Sequence, residues 1–358
     1  MQRAASGDRQ FWESWGWKWA WCWPPSLIRE NFMTRPRFLP DNFTLALAAA
    51  VAVASALPAR GWGAVFFDAL TTAAIALLFF LHGLRLSREA IVAGIGHWRL
   101  HLVVFAATFA LFPALGLLLR PVLLPLVTPQ IYTGVLYLCV LPATVQSAIA
   151  FTSLARGNVA AAVCSASAST LLGVFITPVL VNLIVLPQSA WGAQGDAGVS
   201  LDSIEKILLQ LLVPFIAGHL LRPWLSGWIL RHARVTGLVD RSTILLVVYA
   251  AFSAAVIEGL WRQMPLAALA GLVLVCALIL GLVLCCTTFA ARGLGFDTAD
   301  EITIVFCGSK KSLASGVPMA NVLFPAQAVG AVVLPLMLFH QMQLMVCAVI
   351  AQYYARRQ

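Results

Sequence analysis

Long apolar runs restrict the structure of this chain more than any other feature of its sequence. Ten segments approach or exceed the roughly 20 apolar residues that one helix needs to cross a bilayer. Charged residues make up only 10% of the chain, whereas an ordinary soluble domain carries about 25%. The sequence therefore predicts an all-α integral membrane protein and excludes a soluble enzyme. The predicted spans are residues 42–58, 64–83, 100–119, 132–153, 159–185, 202–221, 243–260, 265–290, 300–322 and 329–353.

The net charge of +9 comes from basic residues scattered between the apolar runs. They form no single stripe of the kind that binds nucleic acid, but alternate loops carry most of them, as cytoplasmic loops do. We therefore expect no nucleic-acid partner and both chain termini on the cytoplasmic side. High alanine and low lysine content favours a bacterial source and hence the plasma membrane. The expected cytoplasmic residues are Arg35, Arg37, Arg85, Arg88, Arg99, Arg222, Arg231, Arg234, Arg241, Arg292, Arg356 and Arg357, against Arg60, Arg120 and Arg262 outside.

The eight cysteines show no CxxC pair and mostly lie inside apolar runs, which is typical of small buried residues. No HExxH or GxSxG motif and no pair of mid-membrane carboxylates is present. We therefore expect no metal, no cofactor and no catalytic activity.

Residues 1–32 differ from the rest, because they contain six of the twelve tryptophans and no signal-peptide core. They fit an aromatic anchor at the membrane interface. They also fit a stretch that is not translated, with Met33 as the start, and Met33 leads directly into the first apolar run. The second interpretation is the favoured one.

Residues 186–201 lack basic residues and are rich in glycine and alanine, which is typical of a linker on the outer side. This linker separates two halves, 33–185 and 202–358, with five predicted spans each. Residues 153–157 (SLARG) match residues 312–316 (SLASG) at an offset of 159. An odd number of spans per half predicts two inverted repeats, an architecture found in many secondary transporters.

The fourth span of each half is interrupted by polar residues. Pro142 forces a kink, and Thr144, Gln146 and Ser147 follow it. The equivalent span of the second half contains Ser309, Lys310, Lys311 and Ser312, and each mid-membrane lysine costs about 3 kcal/mol on insertion scales. These breaks predict a binding site at the membrane midplane. Two short spans around a solvated lysine loop are the alternative.

Several strings resemble the bile acid:sodium symporter family, in particular a divergent branch of it. The resemblance covers residues 34–356 and implies ten helices in a core and a panel domain, with broken helices four and nine crossing at the ion site. The strings that carry it are residues 79–84 (FFLHGL), 153–163 (SLARGNVAAAV), 169–171 (STL), 214–218 (PFIAG) and 307–314 (CGSKKSLA).

The departures from the family pattern concern the sodium ligands that the resemblance implies. In the family pattern the ninth helix carries a glutamate and a glutamine, and the residues at these positions here are Phe306 and Lys310. The pattern also has hydroxyl side chains on the fifth helix, where this chain has Ala162 and Ala166. A third-helix glutamine falls at Thr108. An ammonium 4 Å away would also repel sodium by about 4 kcal/mol at an effective dielectric constant of 20. Sodium coupling is therefore not expected.

These observations predict a symporter-like secondary transporter for a small organic, anionic solute, with a lysine in place of sodium. Lys310 is expected to hold the crossing helices together, and Lys311 or the same lysine to attract the solute; proton coupling through Lys310 is a further expectation. Sodium-coupled uptake of an organic anion or bile acid, and a non-transporting membrane regulator, are the alternatives. The candidate site residues are Thr108, Thr144, Gln146, Ser147, Ser309, Lys310, Lys311 and Ser312.

Overall fold

The computed structural model describes residues 42–85, 97–188, 201–263 and 265–357, and these ranges contain helices and no strand. The predictions for residues 1–32 and for most of the 186–201 linker lie outside the described residues. Short helical turns also occur at Arg120–Leu123 and Leu260–Gln263. The main helices are α1 (Asn42–Ala56), α2 (Trp62–Arg85), α3 (Trp98–Leu118), α4 (Pro129–Val140), α5 (Gln146–Leu154), α6 (Val159–Gln188), α7 (Leu201–Arg231), α8 (Ala233–Ile257), α9 (Leu266–Gly293), α10 (Thr298–Gly308), α11 (Leu313–Leu323) and α12 (Ala326–Arg357).

Six of the described helices, α2, α3, α6, α8, α9 and α12, are long and apolar enough to cross a membrane. The 24 residues of α2 extend about 36 Å at 1.5 Å per residue, which exceeds the roughly 30 Å of a bilayer core. The prediction of an all-α membrane protein is thereby confirmed. Two inverted five-helix repeats stay a prediction.

Both interrupted spans are broken where the sequence predicted it. Span 132–153 consists of α4 and α5 joined by the non-helical residues 141–145, and span 300–322 consists of α10 and α11 joined by residues 309–312. Lys310 and Lys311 are 0% exposed, so the alternative of a solvated lysine loop is wrong.

Helices α7 and α8 extend beyond the predicted spans. Helix α7 continues ten residues past Leu221 to Arg231, and α8 begins at Ala233, ten residues before the predicted start. These extensions include Arg222, Arg231 and Arg234, so hydropathy marks only the apolar part of each helix.

Helix α7 packs against α2 through a close backbone contact. A Cβ atom on Gly83 would lie 2.0 Å from the Phe215 carbonyl oxygen, and one on Gly218 would lie 2.0 Å from the Phe80 carbonyl oxygen. Glycine is thus required on both helices, as in other closely packed membrane helices. The two breaks, residues 141–145 and 309–312, contact α3, α6 and α12 instead.

Candidate functional site

The first break begins where Pro142, which has no N–H group, ends the hydrogen bonding of α4. Polar groups that the break exposes need partners, because no water is available inside a membrane. Helix α6 supplies two of them. The Thr177 hydroxyl donates to the Val140 carbonyl oxygen at 2.9 Å, and the Ala143 N–H donates to Ser169 Oγ at 3.0 Å.

The side chain of Lys311 satisfies two carbonyl groups at this break and one of helix α3. Its Nζ atom donates to the carbonyl oxygens of Cys139 at 2.9 Å, Leu141 at 2.7 Å and Thr108 at 2.7 Å. The Phe112 ring lies 4.1 Å from the ammonium. Since the C-terminal end of a helix carries partial negative charge, the end of α4 favours a cation here. We call these three oxygens the carbonyl socket.

The Thr108 carbonyl is available because α3 contains a π-helical turn at Ala107–Leu111. In this turn the Phe112 N–H bonds to the Ala107 carbonyl, five residues back. The corresponding partner of the Thr108 carbonyl is residue 113, a proline without an N–H group. The π turn and Pro113 together leave this oxygen for Lys311.

Lys310 extends to a different part of the first break. Its Nζ atom donates to the Ser147 carbonyl oxygen at 2.9 Å and lies 3.8 Å from the centre of the Phe151 ring. Phe306 is the next aromatic ring, at 5.4 Å. Two adjacent residues outside a helix can direct their side chains apart, so one lysine reaches α3 and α4 and the other reaches α5.

The remaining predicted residues lie around the same two breaks. Thr144 and Ser147 share a hydroxyl hydrogen bond of 2.6 Å, and the Gln146 side chain is exposed. Ser312 caps α11 by accepting from the Ser315 N–H, and its own N–H donates to the Pro142 carbonyl oxygen at 2.9 Å, which joins the breaks directly. The Ser309 hydroxyl is buried.

Gln343 of α12 is a site residue that the sequence analysis missed. Its Oε1 atom accepts from the Lys311 N–H at 2.9 Å, and its Nε2 atom donates to the Lys311 carbonyl oxygen at 3.0 Å. The signal was a polar pair, His340 and Gln343, three residues apart inside the apolar run 329–353. Residues at this spacing share a helix face.

The site contains two lysine side chains and carbonyl oxygens but no paired carboxylate. Within the described ranges neither lysine forms an ion pair. Phe306, Ala162 and Ala166, at the positions where the family resemblance implies sodium ligands, are apolar and 0% exposed. Carbonyl oxygens are ligands for monovalent cations in ion-selective proteins, and in this socket the Lys311 Nζ atom takes the place of such a ligand-bound ion.

Comparisons with known proteins agree with the resemblance. The model of the SBF-like CPA transporter family matches residues 41–356. The protein PA2026 of Pseudomonas aeruginosa is 65% identical over 91% of this chain and 96% of its own length, and "Putative symporter YfeH" of Escherichia coli is 57% identical over 88% and 93%. Sodium/bile acid cotransporter 7 of Mus musculus is 28% identical over 77% and 80%.

These matches confirm the predicted family and the prediction that the chain is not an enzyme, because the family consists of transporters. They cover both breaks and nearly all of the described helices. The chain belongs to the SBF-like CPA transporter family, which is part of the bile acid:sodium symporter group.

Proposed function

We propose that this protein is a secondary transporter of a small organic solute that works without sodium at its central site. One observation carries the proposal: the Lys311 ammonium contacts three carbonyl oxygens at the meeting point of the two broken helices. A sodium ion at the socket would compete with this ammonium for the same oxygens and would be repelled by its charge.

The two lysines exchange the roles that the sequence suggested. Lys311 holds the breaks together from within the socket. Lys310 donates to a single carbonyl oxygen, that of Ser147, and the preceding residue, Gln146, has an exposed side chain. We assign to Lys310 the positive field that selects an anionic solute, with hydrogen bonds from Thr144, Gln146, Ser147, Ser309 and Ser312.

Proton coupling completes the proposal. Lys310 is the group that would bind and release the proton, so that a proton serves as the coupling ion. We place the protein in the bacterial plasma membrane, with both termini cytoplasmic and ten spans in two inverted repeats. The excess of arginine in alternate loops supports this orientation.

Binding of ²²Na⁺ and solute uptake together test the proposal. Purified protein is assayed for ²²Na⁺ binding, and proteoliposomes are assayed for uptake of taurocholate and a panel of small carboxylates and sulfonates. Sodium or choline is the external cation, with and without an inward proton gradient. We expect no saturable ²²Na⁺ binding and solute uptake that is equal in sodium and choline and faster with the proton gradient.

Other outcomes would favour the alternatives. Saturable ²²Na⁺ binding with sodium-dependent uptake would identify a sodium-coupled transporter, as the name of the mouse relative suggests for that protein. Absence of flux for every solute, with a stably bound protein partner, would identify a membrane regulator. Either result would overturn the proposal.

A further inference from the structure

The polypeptide around Lys311 is held by a neighbouring helix as well as by its own side chain. Residues 309–312 are not helical, so the N–H and carbonyl groups of Lys311 lack the partners that a helix provides. The Gln343 carboxamide bonds to both of them, at 2.9 Å and 3.0 Å. Gln343 is itself 0% exposed.

Only one orientation of this carboxamide satisfies both backbone groups. The Lys311 N–H requires the amide oxygen, and the Lys311 carbonyl requires the amide nitrogen. The Gln343 nitrogen also lies 2.9 Å from His340 Nδ1, which must therefore accept its second hydrogen. The Lys311 peptide groups thus fix the orientation of Gln343, and His340 Nδ1 can accept the remaining amide hydrogen.

We infer that Gln343 is a positioning residue that directs the Lys311 side chain into the carbonyl socket. The two hydrogen bonds fix the peptide groups on both sides of the Lys311 Cα atom and thereby the direction of its side chain. Lys310 has no equivalent clamp in the contacts of the described residues, and its side chain extends towards Ser147. This inference depends on the proposed function in one respect only, namely that the carbonyl socket matters for transport.

Lysine methylation with formaldehyde and dimethylamine borane tests this role, with mass spectrometry reporting Lys310 and Lys311 separately in the same sample. In Gln343→Met, we expect Lys311 to be methylated about tenfold faster than in the wild type, the change that about 1.4 kcal/mol of opening free energy produces. Lys310 should keep its wild-type rate. Gln341→Met is the matched control, because residue 341 lies two positions away on the helix and so on another face.

A second, more conservative variant distinguishes loss of the positioning role from misfolding of the protein. Gln343→Asn keeps the carboxamide but is one methylene shorter, so it cannot reach both backbone groups, and Lys311 should again be methylated faster than in the wild type. Equal acceleration of both lysines would indicate general loosening and would overturn the positioning role, as would wild-type Lys311 rates in both folded variants. Because the assay measures no transport and no sodium binding, its result is independent of the tests of the proposed function.

Discussion

The two helix breaks occupy equivalent places in the proposed repeats but have opposite chemistry. The first break, residues 141–145, presents carbonyl oxygens, which proline and the helix end leave without partners. The second break, residues 309–312, presents donors: two ammonium groups and the Ser312 N–H. In the hydrogen bonds that join the two breaks, the first break accepts and the second donates.

This difference lets the polar backbone groups of the two breaks satisfy each other inside a membrane. Four carbonyl oxygens of the first break region, those of Cys139, Leu141, Pro142 and Ser147, accept from residues 310–312. Symmetric breaks that both presented carbonyls would need an external cation between them. Asymmetric breaks satisfy each other.

Replacement of Lys311 by alanine should cause the largest effect. It leaves three buried carbonyl oxygens without their donor, and each such group costs about 1–3 kcal/mol. We expect a loss of about 3 kcal/mol or more of unfolding free energy. The midpoint of thermal unfolding in detergent, followed by tryptophan fluorescence, measures the loss.

The same variant shows whether the socket can accept another cation. Sodium chloride, but not choline chloride, should raise the unfolding midpoint of Lys311→Ala, because the vacated oxygens can bind a small cation. The wild type should respond equally to both salts. A wild-type midpoint for Lys311→Ala in choline would show that the breaks do not depend on this lysine.

Replacement of Lys310 by glutamine should affect transport more than stability. The variant loses at most the one hydrogen bond to the Ser147 carbonyl oxygen, against three in Lys311→Ala, so we expect a loss of about 1 kcal/mol in unfolding free energy. The positive charge is removed, so uptake of the solute that the wild type transports should fall strongly. Full uptake by Lys310→Gln alongside loss in Lys310→Ala would contradict a role for the charge.

The fold was predictable because its signals are local. Apolar runs of about 20 residues identify membrane helices, and Pro142 and the two lysines mark the breaks without tertiary information. The extensions of α7 and α8 were missed because helical backbone continues past the apolar part, up to Arg231 and from Ala233.

The roles within the site were less predictable than its location. The Lys311 backbone is hydrogen-bonded by Gln343, which is 32 residues away in sequence, so the residues next to Lys311 did not reveal where its side chain points. The family resemblance implied a role for the Thr108 side chain, at the position of a glutamine. Its contact with Lys311 is made by the backbone carbonyl, which a π turn makes available.

Removal of the Thr177 hydroxyl should give a smaller effect at the first break. Thr177→Val keeps the side-chain shape but leaves the Val140 carbonyl without this donor, so we expect a loss of about 1 kcal/mol in unfolding free energy. Thr170→Val is the matched control on α6, because the Thr170 hydroxyl bonds within its own helix, to the Ala166 carbonyl. Equal losses of unfolding free energy in the two variants would show that the hydrogen bond from Thr177 to the break contributes no more than one within a helix.

Pro113→Ala should give the smallest effect, and the sign of this effect should depend on Lys311. Alanine adds an N–H group that can bond to the Thr108 carbonyl within the π turn. With Lys311 present, the new donor competes for an oxygen that already accepts at 2.7 Å, so little stability is gained. In Lys311→Ala the same oxygen lacks its donor, and Pro113→Ala should restore about 1 kcal/mol of unfolding free energy. A double-mutant cycle of unfolding midpoints measures this coupling. Additive effects would show that the missing N–H group of Pro113 is not what leaves the Thr108 carbonyl oxygen available to Lys311.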